Sequence, residues 1–117
     1  MFYSKAFTRY HFVLHDKDDI ARLKAFVKTH YVRWYAYILH SRSLDGKPHY
    51  HFYIDLKSGA DELRLEELTD VPCYRAYPLG CSENDIVCYM IKGFTVEDLK
   101  SGIFETNIPK FSCYNGV

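Results

Sequence analysis

Neither sign of charge dominates this chain: fifteen basic residues are matched by fifteen acidic ones, and the formal net charge is zero. That removes the broad attraction expected of a protein that coats duplex nucleic acid, while a short, local footprint stays compatible with it. No run of 18 or more apolar residues occurs, and no basic region precedes an apolar stretch with a small-residue cleavage site. Neither a membrane span nor a secretory leader is expected. The four cysteines, Cys73, Cys81, Cys88 and Cys113, form no C-x-x-C pair, so free thiols are expected in place of a disulfide framework, and redox chemistry is not. A G-x-x-x-x-G-K-[ST] phosphate loop is missing, as is any Pro/Ser/Gly-rich linker. These absences point to one soluble domain over 1–117, in the cytoplasm and away from membranes.

Aromatic and apolar residues are abundant. With 48% hydrophobic and 17% aromatic residues over 117 positions, a packed core is within reach. Eleven tyrosines and eight phenylalanines could stack on unpaired bases, although most aromatics in a small mixed domain are core.

Periodicity divides the chain into alternating strands and helices. Phe7 to Leu14 reads as a strand with Tyr10, Phe12 and Leu14 on one face and Arg9, His11 and His15 on the other. Asp18 or Asp19 can cap a helix reaching about His30, buried along Ile20, Leu23, Phe26 and Val27. Trp34 to His40 and Pro48 to Leu56 read as strands, Gly59 to Leu68 as a helix with Leu63, Leu65 and Leu68 as its contacts, and Pro72 to Leu79 as a fourth strand. Ser82 suits an N-cap, with Glu83 and Asp85 in the first turn, and Gly93 suits the stop of a helix over Glu83 to Lys92. The order β-α-β-β-α-β-α fits an α+β fold: an antiparallel sheet with flanking helices on a ferredoxin-like plan.

Two constellations carry chemistry. Alternation places His49 and His51 on one side of their strand and Tyr50, Phe52 and Ile54 on the other, so one face can hold a cation while the other builds the core. A turn containing Asp45-Gly46 would fold the preceding strand back and bring His40 to the pair as a third ligand, leaving a coordination position open for chemistry. On the later helix, 100° per residue puts Asp85, Cys88, Tyr89 and Lys92 on one side and Ile86, Val87, Met90 and Ile91 on the other. Tyr89 therefore faces a site and not the core, with Lys92 on the same surface. A phenol with a pKa near ~10 needs a neighbouring cation before it can attack a phosphodiester.

His-Tyr-His at 49 to 51, His40 nine positions upstream, and Tyr89-Met90-Ile91-Lys92 on a later helix resemble the metal and Y-x-x-K motifs of HUH endonucleases. Within that superfamily the chain is most similar to small single-tyrosine replication initiator (Rep) proteins, in particular the compact ones of archaeal rod-shaped viruses. The resemblance spans residues 5 to 95 and implies the HUH version of the fold. It further implies that Tyr89 attacks single-stranded DNA at a replication origin or genome terminus, leaving a 5′-phosphotyrosine link and a free 3′-hydroxyl, and that a later 3′-hydroxyl can reverse the step. His40, His49 and His51 would hold one divalent ion and Lys92 would position phosphate or Tyr89. With no helicase domain, strand separation and synthesis would fall to a separate helicase and polymerase. Many related Rep proteins carry a carboxylate where this chain has His40. Three imidazoles favour zinc, nickel or manganese over magnesium, while the family uses manganese or magnesium. Manganese therefore ranks first, magnesium second, and zinc stays open.

Other residues are read more plainly. Asp45 and Asp55 are reserve carboxylates, though Asp55 lies about 13 Å along the strand from His51 at ~3.3 Å per residue. His15-Asp16-Lys17-Asp18 resembles an H-D-K-D stretch near the metal site of some plasmid initiators, but before the first helix it reads as a strand-to-helix loop with a capping acid; a metal role for His15 or Asp16 is the lesser alternative, and His11 ranks below them as a ligand. Arg9, Arg75 and Lys57 are candidate DNA contacts, together with Lys5. The C-terminal part, Thr95 to Val117, lies beyond the motifs, and the apolar residues from Phe94 to Phe111 are more than a loose tail needs, so the 96–117 segment is expected to pack on the domain or to mediate a homodimer. Three rivals remain: a single-tyrosine transposase with the same chemistry, a non-catalytic RRM-like single-strand binder, and a small protein with a structural zinc.

Overall fold

The computed structural model describes residues 6–41, 47–72, 76–78 and 82–110, with backbone alone at 76–78. Strand β1 (Phe7–Leu14) has the expected bounds. Helix α1 (Lys17–Phe26) begins earlier than expected because Asp16 is its N-cap, accepting from the N–H groups of Asp18 at 2.8 Å and Asp19 at 3.0 Å. It ends at Phe26 and not at His30. There Thr29 Oγ1 donates to the Phe26 carbonyl at 2.7 Å, while the N–H groups of Lys28 and Thr29 turn onto Ala25 and Phe26.

Strands β2 (Val32–His40) and β3 (His49–Ala60) run antiparallel, with His40 opposite His49 and Ile38 opposite His51. The Asp-Gly turn expected between them lies outside the described residues. β3 continues well past Leu56 and takes in Gly59, where a helix was expected; a Cβ at Gly59 would stand 3.3 Å from Ala6 Cβ, so the small residue lets the strand lie against the start of β1. Helix α2 (Glu62–Thr69) starts only after Asp61, whose side chain caps the Arg64 N–H at 2.9 Å. Its Leu65 is buried and Leu68 half-buried, but Leu63 is 51% exposed and not a core contact. β4 is described over Ala76–Pro78, and α3 spans Glu83–Ile91 behind the expected Ser82 cap. Gly93, at φ 87°, provides the left-handed turn beyond the helix.

The C-terminal segment forms a one-turn helix α4 (Val96–Asp98), a turn over Leu99–Ile103 kinked at Gly102 (φ 102°) and a fifth strand, β5 (Phe104–Thr106). The sheet order is β4-β1-β3-β2-β5, with every neighbouring pair antiparallel. Asn107 prolongs the β5 contact through its side chain: Oδ1 accepts from the Tyr35 N–H at 2.8 Å and Nδ2 donates to the Arg33 carbonyl at 3.0 Å. Residues 104–108 thus pack on the sheet. The fold is α+β.

Each face of the sheet has its own core. Tyr10, Phe12, Leu14, Tyr35, Tyr37, Phe52 and Ile54 meet Leu23, Phe26 and Leu65 from α1 and α2. On the reverse, Ala36, Ile38 and Tyr53 meet Ile86, Val87, Met90 and Ile91 of α3 together with Ile108. This corrects the division into one metal face and one core face: the histidine face is also a packed face, because α3 lies on it.

Candidate metal centre

Alternation along β2 and β3 puts His40, His49 and His51 on the face that carries α3, and the antiparallel register sets His40 directly across from His49. One ligand nitrogen from each of the three imidazoles lies within 4.8 Å of the others. Ring centroids are 4.3 Å apart for His40 and His51, 5.0 Å for His49 and His51, and 5.3 Å for His40 and His49. The convergence expected of these three residues is therefore present.

Each imidazole also has a nitrogen engaged in a hydrogen bond. His40 Nε2 lies 3.0 Å from the Met90 carbonyl, His49 Nδ1 3.2 Å from the Lys47 carbonyl, and His51 Nδ1 2.9 Å from His11 Nε2. Hydrogen bonds of this kind fix ring orientation and tautomer in metal sites. His51 is buried at 9% exposure. Burial, followed by the neighbouring His40, pushes its pKa down to about 3, and the same two causes bring His11 down to about 4. Both are neutral at physiological pH, the state in which an imidazole has a lone pair to offer a metal. The three histidines together could hold a metal ion.

Helix α3 is anchored to this face at both ends. At its start, Tyr53 on β3 donates its hydroxyl to Glu83 at 2.9 Å, and burial, then this bond, raises the phenol's pKa. At its end, Met90 presents one of the carbonyls that a helix terminus leaves unpaired, and His40 binds it. Tyr89, one residue earlier, is 62% exposed. Ile86, Val87, Met90 and Ile91 are buried as expected, whereas the helix stops at Ile91 and Lys92 is its C-cap. Lys92 and His40 line one cavity of about 390 Å³, with Phe94, Asp98 and Ile103 on its other walls.

The other candidates are dispersed. Arg9 lines a separate cavity of about 340 Å³ with Arg33, Tyr53 and Asp55, and Lys57 borders another with His30, Tyr31 and Arg64. From His51 these lie about 13 Å and about 20 Å along the strand direction. Arg75 and Asp45 fall outside the described residues. Asp55 is committed elsewhere: its Oδ2 takes Arg33 at 2.8 Å, and its buried Oδ1 has no partner among the described residues. Asp16 is spent as a cap. Cys88 is disulfide-bonded, which corrects the expectation of free thiols at this position.

Sequence reasoning ranked His11 and His15 low. His11 stacks on His51 with the rings at 13° and centroids 5.1 Å apart, and His15 stands 5.2 Å from His49. The parity of β1 had already put both on the face now seen to hold the triad; the missing information was that β1 pairs with β3. Among the described residues, no helix is long and apolar enough to cross a membrane. No protein-family model matches the chain, and no curated protein matches it.

Proposed function

We propose that the chain is a metal-dependent endonuclease and strand transferase acting on single-stranded DNA, of the HUH single-tyrosine type, and that it initiates replication. One observation carries this reading: the three-histidine cluster is joined, through the His40 bond to the Met90 carbonyl, to the helix turn that presents Tyr89 and Lys92. The sheet order 4-1-3-2 within the five strands agrees with the ferredoxin-like plan on which such nucleases are built. The added strand β5 lies outside that plan.

Tyr89 is the nucleophile. Its phenolic oxygen forms a bond to phosphorus as the bond from phosphorus to the 3′ oxygen breaks; the phenol proton passes to solvent and the departing oxygen gains one, leaving a 5′-phosphotyrosine ester and a 3′-hydroxyl. The ester conserves the energy of the bond it replaces, so rejoining requires no nucleotide hydrolysis. The exposure of Tyr89 suits attack on a strand that arrives from solvent. Lys92 meets phosphate charge at the mouth of the cavity it shares with His40. His40, His49 and His51 would hold the divalent ion, manganese or magnesium with zinc also compatible, which supplies Lewis-acid stabilisation of phosphate charge. Arg9, Lys57 and Arg75 extend the contact to flanking nucleotides, and a homodimer would offer two tyrosines to one DNA molecule. A separate helicase and polymerase complete the process, in the cytoplasm of a host cell if a virus or plasmid encodes the chain.

An RRM-like binder needs an open aromatic sheet face. Here α1 and α2 cover one face, while α3 and Ile108 cover the other. A transposase of the same superfamily would share the chemistry and differ in joining separate DNA molecules. The deciding experiment incubates the protein with labelled single-stranded oligonucleotides of varied sequence and manganese, with Tyr89→Phe alongside, on a denaturing gel. An adduct that needs metal and Tyr89 supports the nuclease. Binding without an adduct supports the non-catalytic binder, and loss of folding on chelation supports a structural metal.

A further inference from the structure

We infer that His11 is a positioning residue for the metal centre: its Nε2 accepts a hydrogen bond from the Nδ1–H of His51 and thereby leaves the Nε2 lone pair of His51 free for the ion. The inference rests on the metal reading of the triad and adds a residue that reading does not use.

The three imidazoles differ in what holds their second nitrogen. His40 and His49 end on backbone carbonyls, which can only accept, so each of those bonds settles its tautomer. His51 ends on another imidazole, which can accept or donate. Two arrangements satisfy the 2.9 Å contact. If His11 donates from Nε2, His51 Nδ1 is the acceptor and the neutral His51 ring carries its proton on Nε2, where it blocks ligation. If His51 donates from Nδ1, its Nε2 is a bare lone pair and His11 keeps its own proton on Nδ1. Ligation through His51 Nε2 is possible only in the second arrangement.

Packing keeps the pair in register. His11 lies on β1 across from Tyr53, and His51 lies across from Val13, so the two rings meet diagonally on one face of the antiparallel pair. They stack nearly parallel, at 13°, and the burial of His51 leaves little room for water to replace the bond. His11 thus occupies the place a carboxylate or carbonyl often fills behind a ligating histidine.

The test uses the full chain, without DNA. His11→Phe keeps an aromatic ring and removes the acceptor; His11→Gln restores an acceptor oxygen. Titration calorimetry with manganese and with zinc is expected to show affinity falling about 10- to 100-fold in His11→Phe and recovering most of that loss in His11→Gln. Nitrogen-15 spectra of the zinc-loaded wild type should place the His51 proton on Nδ1, a readout that stands even if the phenylalanine variant fails to fold. Wild-type affinity in a folded His11→Phe variant, equal losses in both variants, or a His51 ring that ligates through Nδ1 would each overturn the inference. Wild type that takes up neither ion would overturn it together with the metal reading. Metal affinity that depends on His11 in a protein that never forms a DNA adduct would uphold the inference while removing the nuclease.

Discussion

His40 donates its Nε2 hydrogen to the main-chain carbonyl of Met90 at 3.0 Å. A strand side chain thereby caps the last turn of α3, where the backbone runs out of helical partners, and the residue ahead of that carbonyl is Tyr89. Movement of His40 and movement of the tyrosine helix are consequently mechanically coupled.

Replacing His40 should therefore do two things at once. His40→Ala is expected to remove metal-dependent adduct formation and to lower the stability of the metal-free protein by about 1–3 kcal/mol, because a carbonyl loses its partner. His49→Ala, whose bond to Lys47 lies at the surface, should remove the adduct with a stability change within about 0.5 kcal/mol. Urea melts in chelator, run beside the gel assay, separate the two; equal melts would refute the capping role of His40.

Tyr89→Phe should abolish the covalent product and leave stability within about 0.5 kcal/mol of wild type, since the side chain is largely exposed and its helix is buried through other residues. Adduct formation that persists in this variant would move the nucleophile elsewhere.

Acid should weaken the metal-free fold through the buried imidazoles. The folded pKa values of His11, about 4, and His51, about 3, lie below the ordinary 6.5, so the unfolded chain binds the extra protons. Their contribution is complete above pH ~6.5 and is lost as pH falls toward the folded values, with a slope of about 1.4 kcal/mol per pH unit for each ring that differs in protonation. Denaturant midpoints between pH 7 and 4 should fall more steeply for wild type than for His51→Gln; parallel profiles would show that burial of this ring does not govern the acid limb.

Asn107→Ala should destabilise by about 1–3 kcal/mol, because the main-chain N–H of buried Tyr35 and the Arg33 carbonyl both lose the amide that pairs with them. Thermal melts would measure this. An unchanged midpoint would mean that water substitutes for the side chain at the sheet margin.

Titration of thiols in denaturant without reductant should find fewer than four per chain, and four after reduction, because Cys88 is in a disulfide. Four thiols before reduction would remove that cross-link.

Much of the fold was legible because period and punctuation agreed. β1 and the buried stripe of α3 follow from alternation and from the 100° turn per residue, with Ser82 and Gly93 marking the margins of α3. Boundaries failed where tertiary contacts outweighed local signals: Gly59 reads as the start of a helix, yet it belongs to β3 because it lies against Ala6. The three-residue strand β5 has too few positions to show a period, and it exists by pairing with β2. The histidine triad was legible because a hairpin makes neighbours of residues close in sequence. His11 was not, since its contact with His51 spans forty residues and depends on strand order.

That strand order also governs what the molecule offers to its own kind. The longest strands, β1, β2 and β3, are interior, and the outermost ones, β4 and β5, are each described over only three residues. On the β5 side, where the strand is three residues long, little unpaired backbone is offered on which a second copy could extend the sheet, so self-association along that edge, if it brings two tyrosines to one DNA strand, has to come through side-chain surfaces.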